Sequence, residues 1–268
     1  AQINGTTAGA TANGYDQIKV TGSVDVSGAT LSLSTDNSYT PAVGESFTLI
    51  DNDGSDAITG QVSVNGRTIA EGGTFSYGNA IYKLSYTGGS GNNLVVTATD
   101  ALIVTTNADE AYGSGSYAAE LDDGTGLSLR EAVGLASAGN KTISFASSLI
   151  GGSTVTLGSN LTIPSNTTLD TDAVGTLTVV PTTTQNLTIH GLTVNNDAGD
   201  VTTLNVQLWG DGGLTKTGAG TLTIAVGQPA NTGGMTVSDG MLKAGIADAI
   251  FYRSNLQVNG TGILDLNG

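Results

Sequence analysis

Two short acidic runs hold most of the groups that could do chemistry. The stretch "DNDGSD" sets Asp51, Asp53 and Asp56 within six residues, and "ELDDG" sets Glu120, Asp122 and Asp123 within four. Arg130 and Glu131 follow the second run closely. Ca²⁺ takes about six to eight oxygen ligands, and Asp-rich turns with glycine supply both carboxylates and carbonyls. A structural calcium at one of these clusters is therefore the candidate cofactor, weighed against the favoured reading of plain turns, although "DNDGSD" is no EF-hand, since its Gly54 stands fourth rather than sixth. Without an ion, the first run makes plain Asx-turns. The second becomes a solvated loop, with Arg130 paired to local carboxylates or carbonyls. Carboxylate pairs also hydrolyse glycosidic bonds when held at a set separation. Here the acids are confined to turns and the eight bases are scattered, which speaks against a polysaccharide-cleaving cleft.

The remaining inventory is thin. One histidine, His190, excludes paired-histidine metal motifs, and its place in "LTIHGLTV" puts it on a strand face. The absence of cysteine removes thiol nucleophiles and thiolate sites. No phosphate-binding loop or dinucleotide fingerprint is present. Trp209, the only tryptophan, is read as covering a coil corner, with stacking on a sugar ring as the alternative. Lys216, in "GGLTKTGAGTLTIAV", is read as a solvent-facing charge that discourages sideways sheet pairing. The expectation is a protein that is not an enzyme.

These residues sit in a chain built of alternating segments. Bursts such as "QIKVTGSVDVSGATLSLS", "NLVVTATDALIVTT", "STVTLGSNLTI" and "TLTIAV" repeat period-two patterning between Gly, Asn and Asp breaks. Spacing alone permits sandwich, barrel or solenoid. The recurring strand-end grammar of "VSGATLSL", "KTGAGTLTI" and "VNGTGILDL" favours a solenoid, as does the run of small aliphatic core residues. Rungs of about 20–25 residues would give about 11–13 coils. One segment breaks the pattern. In 127–139 the apolar residues Leu127, Leu129, Ala132, Val133, Leu135 and Ala136 follow helical spacing, and Ser128 with Glu131 forms a capping box. The polar stretch 108–126 before it reads as a long loop.

Composition bounds the partners. With 23 acids against 8 bases the net charge is −15, so neither nucleic acid nor an anionic membrane surface is expected as a partner. No apolar run approaches the roughly 20 residues of a membrane helix. The lack of cysteine leans toward an exported protein without disulfides. Opening on Ala-Gln, with no signal peptide, the chain reads as a mature or internal fragment.

Three stretches resemble bacterial patterns. "GGLTKTGAGTLTIAVGQPANTGGMTVSDGMLKAG" (212–245) resembles the passenger-associated repeat of autotransporters. "LSLREAVGLASAGNKTISF" and the residues before it (104–145) resemble the domain named for its CSLREA sequence, with Leu127 in place of the cysteine. Residues 15–98 resemble a repeat of giant bacterial surface proteins. "GGSGNN" (88–93) is similar to half of a calcium-binding nonapeptide, but Asn93 replaces its aspartate. The resemblance implies an all-β, right-handed parallel β-helix with one short inserted α-helix near 127–139. Its expected divisions are β-helix coils in 1–100, a CSLREA-like segment in 101–145 and further coils in 146–268. It further implies a secreted or outer-membrane-associated cell-surface protein, structural or adhesive, part of a larger autotransporter-like adhesin. Its partners would be a host or neighbouring-cell surface, or extracellular polysaccharide, with homo-oligomeric or end-to-end assembly. A fibre or sheath subunit and a polysaccharide-active β-helix enzyme are the alternatives.

Overall fold

Alternating β-branched and apolar residues become strands along much of the chain, though 21–34 makes only isolated bridges, and the strands pair in two different ways. The computed structural model describes residues 1–268 apart from 10–11, 36–38, 53, 78–79, 100, 114, 123–124, 137–141, 151–152, 229–230, 252–253 and 267–268. For residues 67, 118, 122, 147–148 and 150 it describes the backbone only. The chain divides into two units, Ala1–Asp100 and Ala101–Gly268.

In the first unit the main sheet has five strands, in the order Ile18–Val20, Ser46–Asn52, Asn93–Thr99, Ala80–Gly88 and Thr74–Tyr77. Only the first pair is parallel; the other three are antiparallel. The expectation of β-helix coils throughout 1–100 is thus corrected for this sheet. Thr74–Tyr77, Ala80–Gly88 and Asn93–Thr99 follow one another too closely in sequence for the long crossover that parallel pairing needs, so they pair as hairpins. One face buries Phe47, Leu49, Phe75, Tyr82, Leu84, Leu94 and Val96. The rings of Phe75 and Tyr82 stack at 5.6 Å. A second hairpin pairs Ser63–Val64 with Arg67–Thr68 through Asn65-Gly66, both at positive φ, the conformation a two-residue hairpin turn requires.

The second unit is a parallel β-solenoid of about five turns. Its first face stacks Leu102–Thr106, Thr142–Ile150, Thr167–Asp170, Leu192–Asn195, Leu214–Thr217, Met235–Val237 and Leu256–Val258. The second face stacks Thr154–Leu157, Thr176–Pro181, Val201–Leu204, Thr221–Ile224, Met241–Ala244 and Ile263–Asp265. The third face stacks Leu161–Ile163, Asn186–Ile189 and Gln207–Trp209. The register Thr167↔Leu192↔Leu214↔Met235↔Leu256 sets the length of each turn, and it falls within the rung length expected from sequence. The number of turns is smaller than expected, because the antiparallel sheet and the helical excursion take up chain without adding rungs. Inward positions form ladders of like residues, such as Leu161, Leu187 and Leu208 on the third face. Glycines turn the corners. Gly218 and Gly240 both have positive φ, and a Cβ at either would collide with backbone carbonyls of the preceding turn.

Between Leu102–Thr106 and Thr142–Ile150 the chain leaves the stack. The expected helix is present but shorter, Leu129–Leu135, with Ser128 as N-cap and Ala136 as C-cap; residues 137–139 of the expected helix lie outside the described residues. The expected long loop holds a second helix, Tyr117–Asp122. Among the described residues no helix is long and apolar enough to cross a membrane.

Candidate functional site

The excursion holds Glu120, Arg130 and Glu131 of the charged residues that the sequence singled out, and it uses them to hold backbone. The capping box forms as predicted: Ser128 N–H donates to Glu131 Oε2 at 2.7 Å, and Glu131 N–H donates to Ser128 Oγ at 3.3 Å. Glu120 is fully buried, and its carboxylate accepts from the N–H groups of Gly113 (3.0 Å) and Gly115 (3.2 Å). Arg130 grips Asp109 through Nε and Nη2, both at 2.8 Å, and donates to the carbonyls of Ser159 and Asn160. Asp109 also accepts from Gly158 N–H at 2.6 Å. The guanidinium thus bolts the excursion onto the first coil, with only 16% of its side chain exposed.

The expected calcium residues are dispersed into such contacts. Asp51 faces Lys19 at 3.8 Å and accepts from Asn93 Nδ2 at 3.4 Å. At Asp56 the backbone carbonyl takes a bond from Asn52 Nδ2. Asp53 and Asp123 lie outside the described residues, as does the side chain of Asp122. Among the described residues no three His, Asp or Glu side chains converge to hold a metal.

Lys216 is the main correction. It was expected in solvent, yet it is 1% exposed and points into the solenoid. Its strand partners are Val194 and Val237, so it occupies a rung of an inward aliphatic ladder. The ammonium donates to the carbonyls of Thr217 (2.5 Å) and Gly218 (2.7 Å), where the strand ends and the chain turns toward the second face. Burial holds its pKa below the usual lysine range, partly offset by the nearby acids Asp239 and Asp172. Period-two phase placed Leu214 inward and could have found this: Lys216 is two residues on and shares its side.

That corner carries further polar groups that alternation does not reveal. Inside, Asn196 Nδ2 donates to Thr171 Oγ1 (2.6 Å) and Thr202 Oγ1 (2.7 Å), and all three are fully buried. Outside, Asp172 receives two long bonds from Asn195 Nδ2. Its pKa rises to about 6, first through burial and then through repulsion from Asp170 and Asp197.

The third face presents a different set. Gln207, Trp209 and Asp211 point outward along one turn, above Asn186, Thr188 and His190 on the turn before. Trp209 is 44% exposed and so is not the corner cover expected of it. Its Nε1–H leans on Gln207 Oε1 at 3.4 Å. His190 Nδ1 meets Asp211 Oδ1 at 2.7 Å, and this hydrogen bond is the first cause of the lowered pKa of Asp211.

Comparison with protein-family models, with curated proteins and with solved structures found no match to this chain.

Proposed function

We propose that this chain is a non-enzymatic β-solenoid of the bacterial cell surface or extracellular space, giving length and contact surface in the manner of an adhesin. One observation carries the reading. Arg130, Glu120, Glu131 and Lys216 are all engaged with the protein's own backbone, and Arg130 with Asp109 besides. A stacked solenoid puts its repeated outer faces, rather than a cleft, at the disposal of partners. The acid excess supports an exported surface that stays dispersed at low salt. The test is antibody labelling of intact producing cells, with protease shaving of the same cells. Labelling before lysis is expected; label that appears only after lysis overturns the reading.

A second reading, end-on stacking into a fibre, is favoured by Leu256 and Val258, which continue the inward ladder of Met235 and Val237 yet are exposed. A further coil laid on them, of the same chain or another copy, would bury both and pair their strand. Sedimentation velocity separates the cases: concentration-dependent association abolished by Val258→Lys supports the fibre, and a monomer at all concentrations overturns it.

A further inference from the structure

The geometry points to the outward surface of the third face as a binding site for neutral oligosaccharides, with Trp209 as its platform. This inference deepens the surface-contact reading above and rests on it.

Three features converge. The first is the exposed indole, 44% in solvent and tethered along its own strand by the bond from Nε1 to Gln207. Aromatic faces pack against the apolar C–H face of a pyranose while its hydroxyls point sideways. The second is what stands where those hydroxyls would fall. Side chains two apart on a strand are separated by about 7 Å, and neighbouring turns by about 4.8 Å. Gln207 therefore flanks the indole on its own strand, with Thr188 directly below it and Asn186 below Gln207, while Asp211 and His190 follow just past the ends of the two strands. An amide stands beside the ring, a hydroxyl lies below it, and a carboxylate follows past the end of the strand. The third feature is preorganisation. The His190–Asp211 bond at 2.7 Å fixes both groups and keeps Asp211 ionised. The imidazole meets one carboxylate oxygen, and a ligand hydroxyl donating to this exposed carboxylate would make a charge-assisted bond.

Charge selects the ligand. Asp211 at the edge and a net charge of −15 repel uronates and sulfated glycans, so the fitting class is a neutral hexose or N-acetylhexosamine chain. Two neighbouring turns offer room for successive residues of such a chain, and repetition along a surface would raise a weak single-site affinity by avidity.

Trp209 is the only tryptophan, so its emission reports this site alone. The full chain is titrated with cello-, manno- and chito-hexaose, and with polygalacturonate as the anionic comparison. A saturable emission shift with at least one neutral hexasaccharide is expected in the millimolar range or below, and none with polygalacturonate. By calorimetry, Trp209→Ala weakens binding about tenfold. Asp211→Asn weakens it a few-fold, and the exposed position of both residues leaves the fold intact. No shift with any neutral hexasaccharide, a shift with polygalacturonate alone, or unchanged affinity in Trp209→Ala overturns the site. Surface labelling that persists when glycan binding fails leaves the surface reading standing. Glycan binding without surface labelling removes that reading and keeps the site.

Discussion

The excursion between the first two strands of the first face and the coils that follow it both bury charge, but in very different amounts. In the excursion, Asp109, Glu110, Glu120 and Glu131 all accept from backbone N–H groups, and Arg130 donates to two carbonyls. In the coils, strand ladders satisfy the backbone, and Lys216 is the only fully buried base among the described residues. It too sits where a ladder stops, on the carbonyls of Thr217 and Gly218. The difference teaches that charge enters this interior where backbone groups have no ladder partner. Buried N–H and C=O groups must be paired somehow.

Arg130→Met should break the comparison hardest if it is wrong. It strips Asp109 of its cation and leaves the carbonyls of Ser159 and Asn160 without that donor. Loss of one member of a largely buried pair costs about 3 kcal/mol or more. Denaturant unfolding measures the loss, and limited proteolysis should open 108–126 while the coils stay protected. Arg130→Lys should rescue little, because a single ammonium cannot span the two carboxylate oxygens and two carbonyls together. A cost below about 1 kcal/mol, the level of exposed pairs, would show that the excursion is held by its apolar helix face instead.

Next in size is the capping box. Glu131→Ala leaves the buried Ser128 N–H without its acceptor, and should cost about 1–2 kcal/mol. The same measurement on Ser128→Ala should give about 1 kcal/mol. The excess of the first over the second is the share due to burial. Equal costs would mean that Glu131 acts only as an ordinary cap.

This contrast also explains what could be seen in advance. Stacked parallel strands, rung length and the capping box all follow from local pattern: Leu222 and Ile224 alternate, and Ser128 stands three residues before Glu131. Pairing direction in 46–99 was not legible, because alternation sets which face a side chain takes and not which strand lies beside it. The helix Tyr117–Asp122 was hidden because "YAAELD" is too short for a period to show. Lys216 was misplaced by reading charge as exposure, although its phase with Leu214 pointed inward. The third-face patch could not be read, since Thr188 comes beside Trp209, and His190 beside Asp211, only through the register between turns.

Lys216→Met sharpens the comparison in the coils. It removes a buried charge and two hydrogen bonds together, so the opposing costs partly cancel and a net loss of about 1 kcal/mol is expected near neutral pH. The pH dependence carries the diagnosis. The native pKa lies below the reference value of 10.5, so between the two the unfolded chain binds the extra proton. Stability of the wild type should therefore rise with pH as 10.5 is approached, relative to Lys216→Met. Melting curves of both proteins across that range give the difference directly, and cancel the opposing effect of the buried tyrosines. A flat difference would place the amine in solvent.

The smallest effect belongs to Asp172, outside the same corner. Its pKa is raised from 3.8 to about 6, by burial first and by Asp170 and Asp197 next. A raised carboxyl pKa gives stability that is present at low pH and lost as pH climbs from about 4 through 6, since the native state there holds the additional proton. The group is largely solvated, so the loss amounts to a few tenths of a kcal/mol. Asp172→Asn should melt slightly above the wild type at pH 7, and the gap should vanish by pH 4. A gap that grows on acidification would reverse the sign and make Asp172 a partner of the Lys216 ammonium rather than a victim of its acidic neighbours. The corner would then work as the excursion does, with paired charges on both sides of the backbone.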